Sequence, residues 1–159
     1  INGVCLTVVG FDSNSARVSF DVIQETLAQT NLGQLNPHDL VNFERAASIG
    51  DEIGGHLMSG HIACACRINQ VIKTKENHTV ELDTPKELSK YLLPKGFVGL
   101  NGCSLTIGRE VNSVFSVHLI PETLKVTTFG ELQAGALVNL EIDSQTQSIV
   151  DTVERVLAD

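Results

Sequence analysis

Ile1-Asn2-Gly3-Val4-Cys5-Leu6-Thr7-Val8 returns 99 residues on as Leu100-Asn101-Gly102-Cys103-Ser104-Leu105-Thr106-Ile107. More matches follow in the same order at a spacing of 97 residues. Glu25-Thr26-Leu27 returns as Glu122-Thr123-Leu124, and Thr30, Gly33 and Leu35 return as Thr127, Gly130 and Leu132. Leu40, Val41, Asn42 and Glu44 return as Leu137, Val138, Asn139 and Glu141. The slip of two residues falls in polar turns, Asp12-Ser13-Asn14-Ser15 against Asn112-Ser113, where hairpins tolerate changes of length. Ordered matches of this kind read as a duplication. The copies are unequal. From about Gly54 to Gly99 runs half a repeat whose counterpart before Ile1 is absent, a shortfall of roughly 45 residues by the repeat logic. The opening reads as strand interior with no initiator Met, so the expectation is a missing natural N-terminus or strands supplied by another chain.

Outward from the repeat, short strands dominate. Val18, Phe20 and Val22 alternate with Arg17, Ser19 and Asp21, Ile62, Cys64, Cys66 and Ile68 alternate with Ala63, Ala65 and Arg67, and Val80 and Leu82 continue the period of two. Val117-His118-Leu119-Ile120 reads as a buried run. Turn signals lie at Asn36-Pro37, Lys75-Glu76-Asn77 and Ala134-Gly135. Helical turns are expected from Thr84-Pro85 to about Leu92, and after Gln24 and Pro121. Many short strands at hairpin spacing favour antiparallel barrels. The tail changes period: Ile149, Val153, Val156 and Leu157 form one helical stripe, with Asp151, Glu154 and Arg155 off it. A closed barrel has no use for that stripe, so it reads as an oligomerisation seam.

Composition narrows the function. With 159 residues, 42% hydrophobic and 19% charged, the chain can bury a core without disulfides or metal. A net charge of −8 repels nucleic acid and anionic membranes, so neither is expected as a partner. No apolar run approaches the ~20 residues that span a bilayer as a helix. Cys5, Cys64, Cys66 and Cys103 make no disulfide framework and suggest free thiols in a reducing, cytoplasmic setting. Strand parity sets His61 on the face opposite Cys64 and Cys66, which argues against zinc.

Asn2-Gly3-Val4-Cys5-Leu6-Thr7, Asp51-Glu52-Ile53-Gly54-Gly55-His56-Leu57-Met58-Ser59-Gly60-His61, Gly102-Cys103-Ser104-Leu105-Thr106 and Ile120-Pro121-Glu122-Thr123-Leu124 together resemble riboflavin synthases. The likeness continues through Val138-Asn139-Leu140-Glu141-Ile142-Asp143 and the tail from Val150 to Leu157. It implies an all-β fold of two homologous six-stranded Greek-key barrels, the first incomplete here, with a C-terminal oligomerisation helix. On that basis residues 1–50 are the rest of an N-terminal lumazine-binding barrel, 53–144 the C-terminal barrel and 145–159 the helix. The implied assembly is a homotrimer, and the implied reaction needs no metal or organic cofactor. Two molecules of 6,7-dimethyl-8-ribityllumazine become riboflavin and a ribitylamino-pyrimidinedione by transfer of four carbons. A non-catalytic lumazine- or flavin-binding antenna protein of the same fold is the alternative.

The resemblance also implies roles. One lumazine must lose a proton from its C7 methyl while the other accepts an addition at C7. Cys5 is implied as nucleophile or proton relay; apart from the resemblance it reads as a small buried hydrophobe. His61 is the candidate for acid–base help, because imidazole titrates near neutrality. His56 could simply satisfy a buried loop. Ser104, Thr106 and Asp143 carry over as functional positions, Asp143 at a subunit interface or else as an exposed acid. The expected substrate contacts are Leu6, Thr7, Asp21, Thr26, Gly60, Ile62, Lys95, Leu105, His118, Ile120 and Thr123. Thr7 could equally serve β-propensity, and Thr26 and Thr123 could be helix caps.

Overall fold

The structure, a computed structural model, describes residues 1–75 and 77–158. Eight strands and three α-helices occur among them: β1 (Val8–Asp12), β2 (Arg17–Phe20), α1 (Gln24–Gln29), β3 (Cys64–Lys73), β4 (His78–Asp83), β5 (Phe97–Leu100), β6 (Cys103–Val111), β7 (Val114–Leu119), α2 (Pro121–Val126), β8 (Leu137–Ile142) and α3 (Ser144–Ala158). Glu76, in the turn expected between β3 and β4, and Asp159 lie outside the described residues.

Six strands close into an antiparallel barrel in the order β3-β4-β7-β6-β5-β8. Inward residues follow the expected period of two. Cys66, Ile68, Val80, Leu82, Leu100, Ile107, Phe115, Val117 and Leu140 are buried together in one cluster. Closure leaves no free ladder edge in this half. The barrel interior is filled by these side chains. Val117-His118-Leu119-Ile120 departs from the expected buried run. Val117 and Leu119 point inward, whereas His118 and Ile120 are exposed, because strand alternation turns His118 out and Ile120 begins the helix turn.

In the first half β1 and β2 form a two-stranded hairpin and nothing more regular precedes α1. The expected helical turns are present. α1 and α2 both follow an extended isoleucine, and Pro121 opens α2 where a missing N–H costs nothing. Thr26 and Thr123 lie inside these helices and do not cap them. The caps are one turn on, where the Thr30 and Thr127 hydroxyls accept the N–H of Leu32 and Phe129 at the start of short 3-10 turns. The segment from Pro85 to Leu92 is turn and a 3-10 turn at Ser89–Tyr91.

Asparagines join the two halves. Asn2 N–H donates to the Asn42 carbonyl, and Asn101 N–H to the Asn139 carbonyl, at 2.8 and 2.9 Å. The side chains reciprocate across the junction: Asn139 Nδ2 donates to the Asn2 carbonyl and Asn42 Nδ2 to the Asn101 carbonyl, both at 2.9 Å. Asn31 N–H and Thr128 N–H donate to the side-chain oxygens of Asn139 and Asn42 at 2.6 and 2.8 Å. Gly3 and Gly102 meet at the centre with φ of +80° and +84°, and a Cβ on Gly3 would stand 2.5 Å from the Gly102 nitrogen. Buried amides are costly unless paired, and here each junction partner supplies what the other lacks.

Asp143 precedes α3, and its carboxylate accepts the Thr146 N–H and hydroxyl at 3.0 and 2.6 Å, an N-cap arrangement. Its polar face holds the barrel: Tyr91 donates to Asp151 at 2.5 Å, and Lys90 pairs with Glu154. Val150 packs on the core. The stripe of Ile149, Val153, Val156 and Leu157 is exposed.

Candidate functional site

Residues 55–62 cross the outer face of the barrel and assemble the site. β5 pairs with β6 so that Phe97 faces Thr106 and Gly99 faces Ser104, while Gly99 also faces Glu141 on β8. These side chains share the outward face, since Val98, Leu105, Leu140 and Ile142 occupy the core between them. The crossing segment lies along that row. His56 stacks on Phe97, ring centroids 5.2 Å apart and planes 15° from parallel. Its Nδ1 lies 2.7 Å from Ser104 Oγ, which also accepts the His56 N–H at 3.1 Å. Met58 then covers Gly99, where a Cβ would stand 2.9 Å from its sulfur. Ser59 and Gly60 reach the Glu141 carboxylate.

Cys5 joins at the far end. Its N–H donates to the Gly60 carbonyl at 3.1 Å, and a Cβ on Gly60 would stand 2.6 Å from Cys5 Cβ. Only glycine allows that approach. His61 follows directly and is exposed, its Nδ1 2.7 Å from Ser59 Oγ. So Cys5, Gly60 and His61 come together, with Leu6, Thr7 and Ile62 beside them in sequence. Cys5 is the exposed thiol of the four. Burial pushes the Cys66 thiol up to about 12 and the Cys103 thiol up to about 11, and it raises Cys64 as well. Buried thiols of this kind are poor nucleophiles.

The other expected residues group along the second half. Ser104 and Thr106 lie on the outward row, Thr106 exposed. His118 continues it: its Nε2 would lie 2.8 Å from a Cβ on Gly108, and its Nδ1 is 3.0 Å from Thr79 Oγ1. Lys95 is exposed in the turn before β5, its φ of +70° held by an N–H bond to the Ile107 carbonyl. Ile120 and Thr123 flank the start of α2, as Ile23 and Thr26 flank α1. Asp21, which matches His118, is exposed just past β2. Leu105 lies between Ser104 and Thr106 on β6. Strand parity turns its side chain into the core, away from the row that carries Ser104 and Thr106.

Asp143 stands near His56. Burial by itself raises the Asp143 carboxyl, but hydrogen bonds from Thr146 and Gln145, with His56 nearby, hold it below the ordinary carboxylate range. Burial holds the His56 imidazole below its usual value, against the pull of Asp143 and Glu141. His56 Nε2 is buried without a partner. Sequence reasoning left out Phe97, Ser59 and Glu141, whose roles come from register across strands distant in the chain. A cleft of about 390 Å³ between the halves, lined by Asn2, Asn31, Leu40, Glu131 and Leu137 among others, contains none of the expected site residues. No group of three or more His, Cys, Asp or Glu able to hold a metal ion occurs among the described residues.

The family model for the lumazine binding domain matches residues 1–46 and 59–143, which include both ends of this site. The chain belongs to the lumazine-binding riboflavin synthase family. It is 52% identical over 158 residues to riboflavin synthase of Escherichia coli strain K12, covering 99% of this chain and 73% of that protein. Riboflavin synthase of Chlamydia pneumoniae is 48% identical, with 99% and 76% covered. Among solved structures, LumP complexed with 6,7-dimethyl-8-(1'-D-ribityl) lumazine is similar with a TM-score of 0.77 at 25% identity, covering 89% of this chain and 74% of that one. LumP complexed with riboflavin gives 0.78 at 27% identity, with 89% and 75% covered. A riboflavin synthase family member built this way offers two groups of polar residues on one barrel's outer surface, linked by a single crossing segment.

Proposed function

We propose that this chain catalyses the riboflavin synthase reaction, converting two 6,7-dimethyl-8-ribityllumazine molecules into riboflavin and 5-amino-6-ribitylamino-pyrimidinedione by four-carbon transfer. The observation that carries this reading is 52% identity along 99% of the chain to a riboflavin synthase. The geometry supports it. Cys5 and His61 supply a thiol and an imidazole at one end, and Ser104, Thr106 and Lys95 supply hydroxyls and a cation at the other. One lumazine loses its C7-methyl proton to a base; a thiol, hydroxyl or water adds at C7 of the second, and the carbanion of the first then adds to the carbon–nitrogen double bond next to that C7, whose ring nitrogen takes up the electron pair and a proton. Holding two reactants face to face contributes several kcal/mol before any group reacts.

The finer organisation belongs to the same proposal. The matched halves are copies of one lumazine-binding unit, residues 1–50 belonging to the first, 53–144 to the second and 145–159 to an assembly helix. The reciprocal asparagine bonds and the paired turns at Gly3 and Gly102 support that reading. The exposed stripe of α3 supports a homotrimer built through it, and the free thiols support a cytoplasmic setting. Each active site then takes two lumazines, one from each kind of unit, with Asp143 at a subunit boundary.

The test is direct. Purified protein given the lumazine alone produces riboflavin absorbance, and Cys5→Ser lowers turnover by about tenfold or more while ligand affinity stays within a few-fold. An unchanged rate removes Cys5 from the mechanism. A second reading, a non-catalytic lumazine- or flavin-binding protein, is favoured by the likeness to LumP structures holding such ligands. Under it the purified protein retains a bound fluorophore and consumes no lumazine.

A further inference from the structure

Glu141 is 5% exposed, on the outward side of a barrel strand, and its match in the first half, Glu44, is exposed. A carboxylate removed from water needs donors. Among the described residues its donors all come from Ser59 and Gly60. Oε1 accepts the Ser59 N–H at 2.6 Å, the Ser59 hydroxyl at 3.1 Å and the Gly60 N–H at 3.1 Å, and Oε2 lies 3.2 Å from the same Gly60 nitrogen.

The Ser59 hydroxyl has one proton to give. An ionised carboxylate can only accept, so that proton points to Glu141. His61 Nδ1 lies 2.7 Å from the same Ser59 oxygen, and a bond there requires the imidazole to donate. The proton on neutral His61 is then on Nδ1, and the lone pair on Nε2 faces away from Ser59. We propose that Glu141 is a positioning residue which, through the Ser59 hydroxyl, holds His61 in the Nδ1–H tautomer with Nε2 as the free base. Orienting a base through its far nitrogen is how carboxylate-linked imidazoles are made competent in general. Here a serine stands between the two, so the carboxylate can stay buried while the imidazole stays exposed to substrate. The proposal rests on the reading of His61 as the proton-accepting group.

A mere anchor for the crossing segment would need only the two backbone N–H bonds, and Ser59→Ala keeps both. The experiment therefore follows Glu141→Gln, Ser59→Ala and Ser59→Thr in full-length protein. Nitrogen-15 NMR of labelled histidine, at a pH where the imidazole is neutral, reads the tautomer without substrate. Steady-state assays with the lumazine read kcat and KM. The expected result is an Nδ1–H His61 in the parent chain and in Ser59→Thr. Glu141→Gln and Ser59→Ala shift toward Nε2–H and lose about tenfold in kcat with KM within about threefold. An unchanged tautomer in Ser59→Ala overturns the proposal. A shifted tautomer with unchanged kcat supports the hydrogen-bond relay and overturns instead the assignment of His61 as the base.

Discussion

Leu137–Ile142 and the matched stretch from Leu40 share sequence pattern but not structure. The later stretch is β8, paired on one side with β3 and on the other with β5. The earlier one forms no strand among the described residues. Leu140 is fully buried, whereas Phe43, at the equivalent place, is 57% exposed. β-propensity is a preference for fitting a pleated, half-buried surface, and it is realised where neighbouring strands supply that surface. The same residues make a barrel wall in one setting and an open segment in the other.

Three measurements press on that contrast, in falling order of effect. Leu140→Ala removes a core side chain from a closed barrel and costs about 2–5 kcal/mol of stability. Phe43→Ala costs less than about 0.5 kcal/mol, as for exposed sites. Denaturant unfolding of the two variants compares them, and equal losses would mean that the first half carries a core of its own in solution. At the junction, Asn139 is fully buried and Asn42 only partly. Asn139→Ala orphans the Asn2 carbonyl and the Asn31 N–H and costs about 2–4 kcal/mol, against about 1 kcal/mol for Asn42→Ala. A reversed order would put the weight of the junction on the first half.

The smallest effect is electrostatic. Burial keeps the folded-state pKa of His56 below its ordinary 6.5, and of His78 likewise. The unfolded chain therefore binds more protons just below that value, so stability is present above about 6.5 and is lost as pH falls through it. Asp143 acts lower: its folded carboxyl titrates below the ordinary 3.8, so its contribution is lost only as pH falls beneath that value. His56→Gln flattens the stability profile around pH 6, measured by thermal unfolding across buffers. An unflattened profile would place that titration at His78.

Much of this was legible from residue order. The alternation of Cys64, Cys66 and Ile68, the proline that opens α2 and the apolar stripe on α3 follow local rules of period and of proline at a helix start, whereas the Thr84 hydroxyl is buried without a partner and caps nothing. Cys5, Gly60 and His61 were legible as a group only through the family motifs, since they come from segments more than fifty residues apart. Glu141 and Phe97 were not legible. Their roles depend on which strands lie side by side, and one residue of register moves a side chain from the outer face to the core, as Leu105 shows.

Sequence by itself determined the repeat, the strand periods, the short helices and the family, because each is a local pattern or an ordered string of them. Tertiary structure alone decided that the candidate site residues gather on the outer face of a filled barrel. It also decided that one crossing segment lays His56 on Phe97 and Ser104, and Ser59 on Glu141. The reason is physical: hydrogen bonds between distant strands and a buried carboxylate's need for donors are settled only when the chain has closed on itself.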